Sequence, residues 1–418
     1  MKSFILLTET QINMKHLKLI LILAFLFGNM TFCKSKPDNN RNLEEKPSLE
    51  TSAPIILPGA DRPEIYLPKL KGKRVALAVN QTSILTSKKN LHLVDFLLAQ
   101  GIEVKKVFVP EHGFRGDADA GEKVDNTVDP KTGLPLVSLY GKSKKPSTAA
   151  LADVDIVIFD IQDVGIRFYT FISTLHYLME ACAEQNKTLM VFDRPNPNGD
   201  YIDGPVLQKG YESFVGMHPI PIIHGLTVGE LAQMINGEGW LKEGVKAPLE
   251  VVPVGNWKHE NHYSLPVKPS PNLPNDVAIR LYPSLCFFEG TDVSLGRGTL
   301  FPFQVYGYPD PKFGDFTFTP VSIEGMSKYP PQQDKLCYGK DLRDEPLSHQ
   351  FTLSYLLEAY QKANKGASFF NAFFDKLAGS DQLRKLIIAG ESEASIRSTW
   401  QEELDLYKAK RKEYLIYE

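Results

Sequence analysis

The chain has 418 residues, 43% of them hydrophobic and 23% charged, with a formal net charge of −3. That length exceeds one small domain, so two domains are expected, with enough apolar residues for full-sized cores. A charge so close to zero leaves no electrostatic footprint for nucleic acid, and no nucleic-acid partner is expected.

The first element is an export signal. Met14, Lys15, His16, Leu17 and Lys18 form a basic start. Leu19 to Phe27 form an apolar run too short to span a membrane as a mature helix. Residues 1–13 read as an upstream extension, with Met14 a candidate start. Cys33 stands where a lipidated cysteine would follow such a signal, but Met30, Thr31 and Phe32 lack the small residue expected before it. Two readings follow for residues 1–33: an ordinary cleaved signal on a periplasmic protein, or lipid attachment at Cys33 to a membrane. Residues 34–55 are polar and proline-bearing, a flexible tether.

Strands then alternate with helices. Apolar runs at 74–79, 107–109, 155–160 and 188–193 read as strands buried on both faces. Helical spacing occupies 91–101 and 167–185, the second with Phe168, Phe171, Ile172, Leu175, Leu178, Met179 and Cys182 on one stripe. This is the pattern of an α/β, Rossmann-like parallel sheet. It carries neither GxGxxG nor GxxxxGK[ST], so the architecture implies no nucleotide and no cofactor is expected. The pattern changes after about Gly225. A helix over 226–241 opens on a capping box, Thr227 with Glu230. A strand follows at 249–254, and helices return at 351–364, 380–390 and 392–415. The expectation is a Rossmann-like domain over 56–224, a smaller α+β domain over 225–418, and a cleft between them.

Each strand of the first half runs into polar residues: Asn80, Gln81 and Thr82; Glu111 and His112; Asp160, Gln162, Asp163 and Arg167; Asp193, Arg194 and Asn196. Open α/β sheets bind ligands outside the carboxyl ends of their strands. Helix caps and turns account for about half of these residues, but not for the arginines. Glu111 follows Pro110, which stiffens the backbone and aims the next side chain. A carboxyl partly removed from water at such an edge suits a general acid. His112 and Arg115 lie in the same loop, whose Asp117, Asp119 and Asp125 read as scaffolding; its spacing is not that of an EF-hand. Asp160, Asp163, Arg167 and Tyr169 fall within ten residues. Arg167 suits a bidentate grip on a carboxylate, and Arg194 and Asn196 sit on a proline-stiffened turn. In the second half, Glu289, Asp292 and Arg297 occupy a glycine-bearing loop that can close over the first domain, with Asn272 in a proline-rich segment beside it. HENH at 259–262 lacks the spacing of a zinc helix, so no metal is expected. Cys182 reads as a core residue, and with Cys286 and Cys337 shows no metal or disulfide pattern. Carboxylates, polar forks and aromatics together have the composition of a carbohydrate site, and they also fit a metal hydrolase.

The segments PEHGFRG, DIQDVGIRFYTF, DRPNPNG, PSPNLP and FEGTDVSLGRGT resemble, in order and without departure, the motifs of the exo-β-N-acetylmuramidase (NamZ-type) family. The resemblance covers residues 56–418. It implies a Rossmann-like domain, a smaller C-terminal domain and a cleft between them. It also implies release of N-acetylmuramic acid from non-reducing ends of peptide-free peptidoglycan fragments. The family's key glutamate corresponds to Glu111. Glu111 is then the expected general acid, with Asp163, and after it Glu289, as candidate second carboxylate acting as nucleophile or base; catalysis assisted by the sugar's N-acetyl group stands beside that reading. Arg167, Arg194 or Arg297 would pair with the lactyl carboxylate of the sugar. Two rival readings stand beside this one. A metal-dependent hydrolase would use His112 with nearby aspartates and would lose activity to a chelator. A glycan-capture lipoprotein would be indifferent to loss of Glu111.

Overall fold

The computed structural model describes residues 54–418 apart from His112, residues 115–126 and Lys142. The expected signal, Cys33 and nearly all of the tether lie outside the described residues.

The strands are β1 (Arg74–Val79), β2 (Ile84–Leu85), β3 (Leu91–His92), β4 (Glu103–Val109), β5 (Thr127–Val128), β6 (Pro135–Ser138), β7 (Ile156–Asp160), β8 (Thr188–Phe192), β9 (Leu249–Val252), β10 (Val305–Tyr308), β11 (Phe316–Phe318) and β12 (Cys337–Asp341). The helices are α1 (Pro63–Leu70), α2 (Leu93–Ala99), α3 (Thr148–Leu151), α4 (Phe171–Glu184), α5 (Val228–Gly237), α6 (Asp276–Leu285), α7 (Ser354–Ala363), α8 (Phe374–Ala378), α9 (Gln382–Ile388), α10 (Glu393–Ser398) and α11 (Gln401–Arg411).

A seven-stranded sheet runs β5-β6-β4-β1-β7-β8-β9. Its pairs are parallel except β5 with β6 at one edge. The pleat sorts the side chains. Val75, Leu77, Val79, Ile158 and Phe192 enter one core with Tyr66 of α1 and Phe96 of α2. Ala76, Ala78, Val157, Phe159 and Val191 enter the opposite core with α4 and α5. Both faces are covered, which is why these strands read as unbroken apolar runs. From β1 the chain steps outward to β4 and β6 on one side, with β5 added at the edge, and to β7, β8 and β9 on the other; the crevice at such a reversal is where open α/β sheets hold ligands. A three-stranded antiparallel sheet, β10-β12-β11, and helices α6 to α11 form the smaller C-terminal part.

Three expectations change. The break in character at Gly225 does not mark the end of the large sheet, because α5 and β9 lie beyond it and β9 pairs with β8. The helix expected from residue 167 begins at Phe171, since the Arg167 N–H is given to Ile222 O at 2.8 Å. The helix expected over 392–415 is two, α10 and α11, broken at a buried Trp400. There Thr399 turns its hydroxyl back on Ile396 O at 2.7 Å, competing with the backbone ladder. The capping box of α5 is present as expected, with both Thr227 and Glu230 side chains engaged.

Candidate active site

A cavity of about 560 Å³ opens at the carboxyl edge of the large sheet. Glu111 comes from the end of β4, Tyr140, Gly141 and Lys144 from the loop after β6, and Phe168 to Phe171 from the segment after β7. Phe214 and Val215 complete that side, while Tyr282, Glu289 and Phe373 come from the C-terminal part. The volume is that of a small-molecule site. Its aromatic lining offers flat apolar faces of the kind that pack against sugar rings.

Two carboxylates stand in these walls. Glu111 Oε2 accepts from the Thr170 hydroxyl at 2.6 Å. The Tyr140 hydroxyl is also hydrogen-bonded to Glu111, and burial together with that carboxylate pushes the Tyr140 phenol above its ordinary range. Two hydroxyls on two different loops thus orient one carboxyl. Glu289 belongs to the 3-10 turn Cys286–Gly290 at the end of α6. Its Oε1 accepts from Arg297 Nε at 2.8 Å and Nη2 at 2.5 Å, a two-armed ion pair that fixes its direction. Arg297 also lies over the Phe303 ring at 5.1 Å.

The other expected site residues divide sharply. Tyr169 lines the cavity. Its hydroxyl lies near Ser270 without a well-formed hydrogen bond, and burial, with the charges of Asp163 and Glu111, pushes its phenol well up. Asp163 is buried and is not among the cavity walls; its Oδ2 accepts from Gly165 N at 2.6 Å. Arg167 is not a substrate arm. It is fully buried and donates to the carbonyls of Pro205, Ile220, Leu377 and Ala378 at 2.7, 2.9, 2.9 and 2.9 Å. Arg194 and Asp160 form a buried pair at 2.5 and 2.9 Å, and Arg194 also caps Ile84 O at 3.1 Å. Asn196 holds Leu226 O at 2.9 Å and Asn198 N at 2.8 Å. Asn272 is buried and gives its amide to Met326 O at 2.7 Å. These residues tie loops together, because at a strand edge backbone groups left by the strands need partners as much as a ligand does. His112 and Arg115 lie outside the described residues. His259 of the HENH segment is 3.0 Å from Glu230 Oε1, which gives it a structural partner.

Sequence reading missed Tyr140, Lys144, Phe214, Tyr282 and Phe373. The strand-end rule would have reached Tyr140 and Lys144 had β6 been recognised. Its four residues, Pro135–Ser138, are too short and too exposed to give a periodic signal. Phe214, Tyr282 and Phe373 come from segments remote in sequence and carry no local mark.

Residues 75–277 match the family model described as exo-beta-N-acetylmuramidase NamZ, N-terminal, and residues 280–417 match the model described as its C-terminal part. The chain is 39% identical over 422 residues to the peptidoglycan beta-N-acetylmuramidase NamZ of Bacillus subtilis strain 168, a match covering 95% of this chain and 99% of that protein. Two crystal structures of DUF1343 family proteins from Bacteroides fragilis NCTC 9343 share the fold. One is 46% identical with a TM-score of 0.81 and the other 29% identical with a TM-score of 0.76, each match covering 87% of this chain and 99% of the other.

Proposed function

The chain belongs to the exo-β-N-acetylmuramidase NamZ family, and from that premise we propose that it is an exo-acting glycosidase releasing N-acetylmuramic acid from the non-reducing end of peptidoglycan fragments. The observation that carries the reading is the presence of Glu111 and Glu289 in the walls of one aromatic cavity. Glycosidases use such a pair of carboxyls on either side of the bond they cleave. Glu111 is the general acid. Held by Thr170 and Tyr140, it delivers a proton to the leaving oxygen as the bond to the anomeric carbon breaks. Glu289, ion-paired with Arg297, is the second carboxylate in this reading, the group that would act on the sugar's developing positive charge or on the attacking water. Asp163 is the weaker candidate for that role, since it is not among the cavity walls.

The test is release of N-acetylmuramic acid from the N-acetylmuramyl–N-acetylglucosamine disaccharide, with EDTA present, by wild type and Glu111→Gln. Wild-type turnover that falls by about 10²–10⁴-fold in the variant is expected. Equal turnover by both would remove Glu111 from the chemistry. Loss of wild-type activity on adding EDTA would turn attention to a metal held by His112 and the neighbouring aspartates.

A further inference from the structure

N-acetylmuramic acid differs from N-acetylglucosamine by a lactyl ether that ends in a carboxylate. A site that selects it needs a cation not already matched to an acid of the protein. The three arginines expected to pair with that carboxylate, Arg167, Arg194 and Arg297, are committed elsewhere. Arg167 is spent on four backbone carbonyls, Arg194 on Asp160, and Arg297 on Glu289. Lys145 is held by Glu180 and Glu184, at 2.6 Å from each.

Lys144 is different. It lines the cavity on the same loop as Tyr140, the residue that bonds Glu111. Its ammonium lies 4.1 Å from the centroid of the Phe214 ring, also a cavity wall. Among the described residues it has no ion pair. A ring face holds a cation in place without using its N–H donors, so the ammonium remains able to grip an anion. Among the described residues, the wall residues with carboxyl groups are Glu111, the proton donor, and Glu289, already paired with Arg297. Among the described residues, Lys144 is the wall residue that offers a cation to the substrate's carboxylate.

We propose that Lys144 is a specificity-determining residue that binds the lactyl carboxylate of the terminal N-acetylmuramic acid. The proposal rests on the glycosidase reading above and adds to it the group that recognises the sugar. The test uses two substrates: the disaccharide, and the same disaccharide with its lactyl carboxylate converted to the methyl amide. Lys144→Met keeps the aliphatic stem against Phe214 and removes the charge. It is expected to raise KM for the disaccharide by about 10–100-fold, as for loss of a charged hydrogen bond, with kcat within a few-fold of wild type. The wild type should prefer the carboxylate over the amide by a similar factor, and Lys144→Met should lose that preference. Lys144→Arg should recover part of it. An unchanged KM in Lys144→Met, or a carboxylate preference that survives the substitution, would overturn the proposal. A wild type that releases no N-acetylmuramic acid from the disaccharide would instead remove the premise, and the assignment of Lys144 with it.

Discussion

Burial pushes the Asp163 carboxyl up to about 7, although the N–H groups of Gly165 and Val164 pull it down. Its Oδ1 is buried without a hydrogen-bond partner, and Oδ2 lies 4.0 Å from His224 Nε2. The unfolded chain releases this proton near 3.8, whereas the folded chain keeps it until about 7. Stability from this group is therefore fully present below about pH 4 and declines as pH rises through 7. His224 has the opposite sign. Burial pushes it down to about 3 from 6.5, so acid favours the unfolded chain over that window. Comparing Asp163→Asn with wild type isolates the first effect. Urea unfolding at pH 5 and pH 8 should show the variant gaining on the wild type by roughly 1–4 kcal/mol at the higher pH, with kcat within a few-fold. A pH-independent offset would show that Asp163 is ionised throughout. A collapse of kcat would return it to the chemistry. Residue type alone could not separate this aspartate from Glu111, because both follow strands. Their difference is access to the cavity.

At the scale of elements, the segment between β7 and α4 is organised around the Arg167 guanidinium. One arm holds the carbonyls of Pro205 and Ile220, and the other holds those of Leu377 and Ala378 at the end of α8. Gly379 makes the close approach at α8 feasible. Its φ is +84°, and a Cβ there would lie 2.7 Å from Arg167 Nη2. Burial lowers this guanidinium to about 9, and four carbonyl dipoles in place of a carboxylate compensate its charge. Arg167→Met leaves those carbonyls without donors, and a loss of about 2–4 kcal/mol is expected from urea unfolding. Arg167→Lys, with fewer donors in a different geometry, should restore only part. A raised KM with unchanged stability would make Arg167 a substrate arm after all. The same clamp explains why α4 starts later than its apolar stripe suggests: Phe168 carries the stripe onward, but the backbone there is tied to Ile222.

At the scale of the molecule, the two family matches meet near residue 278, yet the core does not divide there. One cluster of buried residues runs from Ala76 in β1 to Tyr407 in α11. The chain's last residues return to the large sheet. The Tyr417 hydroxyl donates to Asp193 Oδ2 at 2.7 Å and accepts from Val254 N at 2.8 Å, and Ile416 N reaches Glu230 Oε1 at 2.9 Å. Tyr417→Phe keeps the ring against Trp257 and removes both hydroxyl bonds. A lower melting temperature and a loss of about 1–3 kcal/mol are expected, with unchanged kcat at temperatures where the variant is folded. A variant as stable as wild type would show that the tail does not join the two parts. Glu289, from the C-terminal part, shares one cavity with Glu111 from the sheet.

The apolar runs of β1, β7 and β8, the capping box of α5 and the position of Glu111 after Pro110 are all legible along the chain. Each depends on neighbours a few residues away: pleat, cap and rigid turn are local physics. The family is legible too, since its five motifs lie in order. Which polar side chains face the substrate is decided at longer range. Arg167 and Arg194 look like anion binders until carbonyls and a carboxylate as far as 211 residues away claim their donors. Lys144, from a loop after a strand too short to show, takes its place in the wall because the Phe214 ring, 70 positions on, is brought under its ammonium. A buried donor must find an acceptor, and only the folded chain determines which acceptors are within reach.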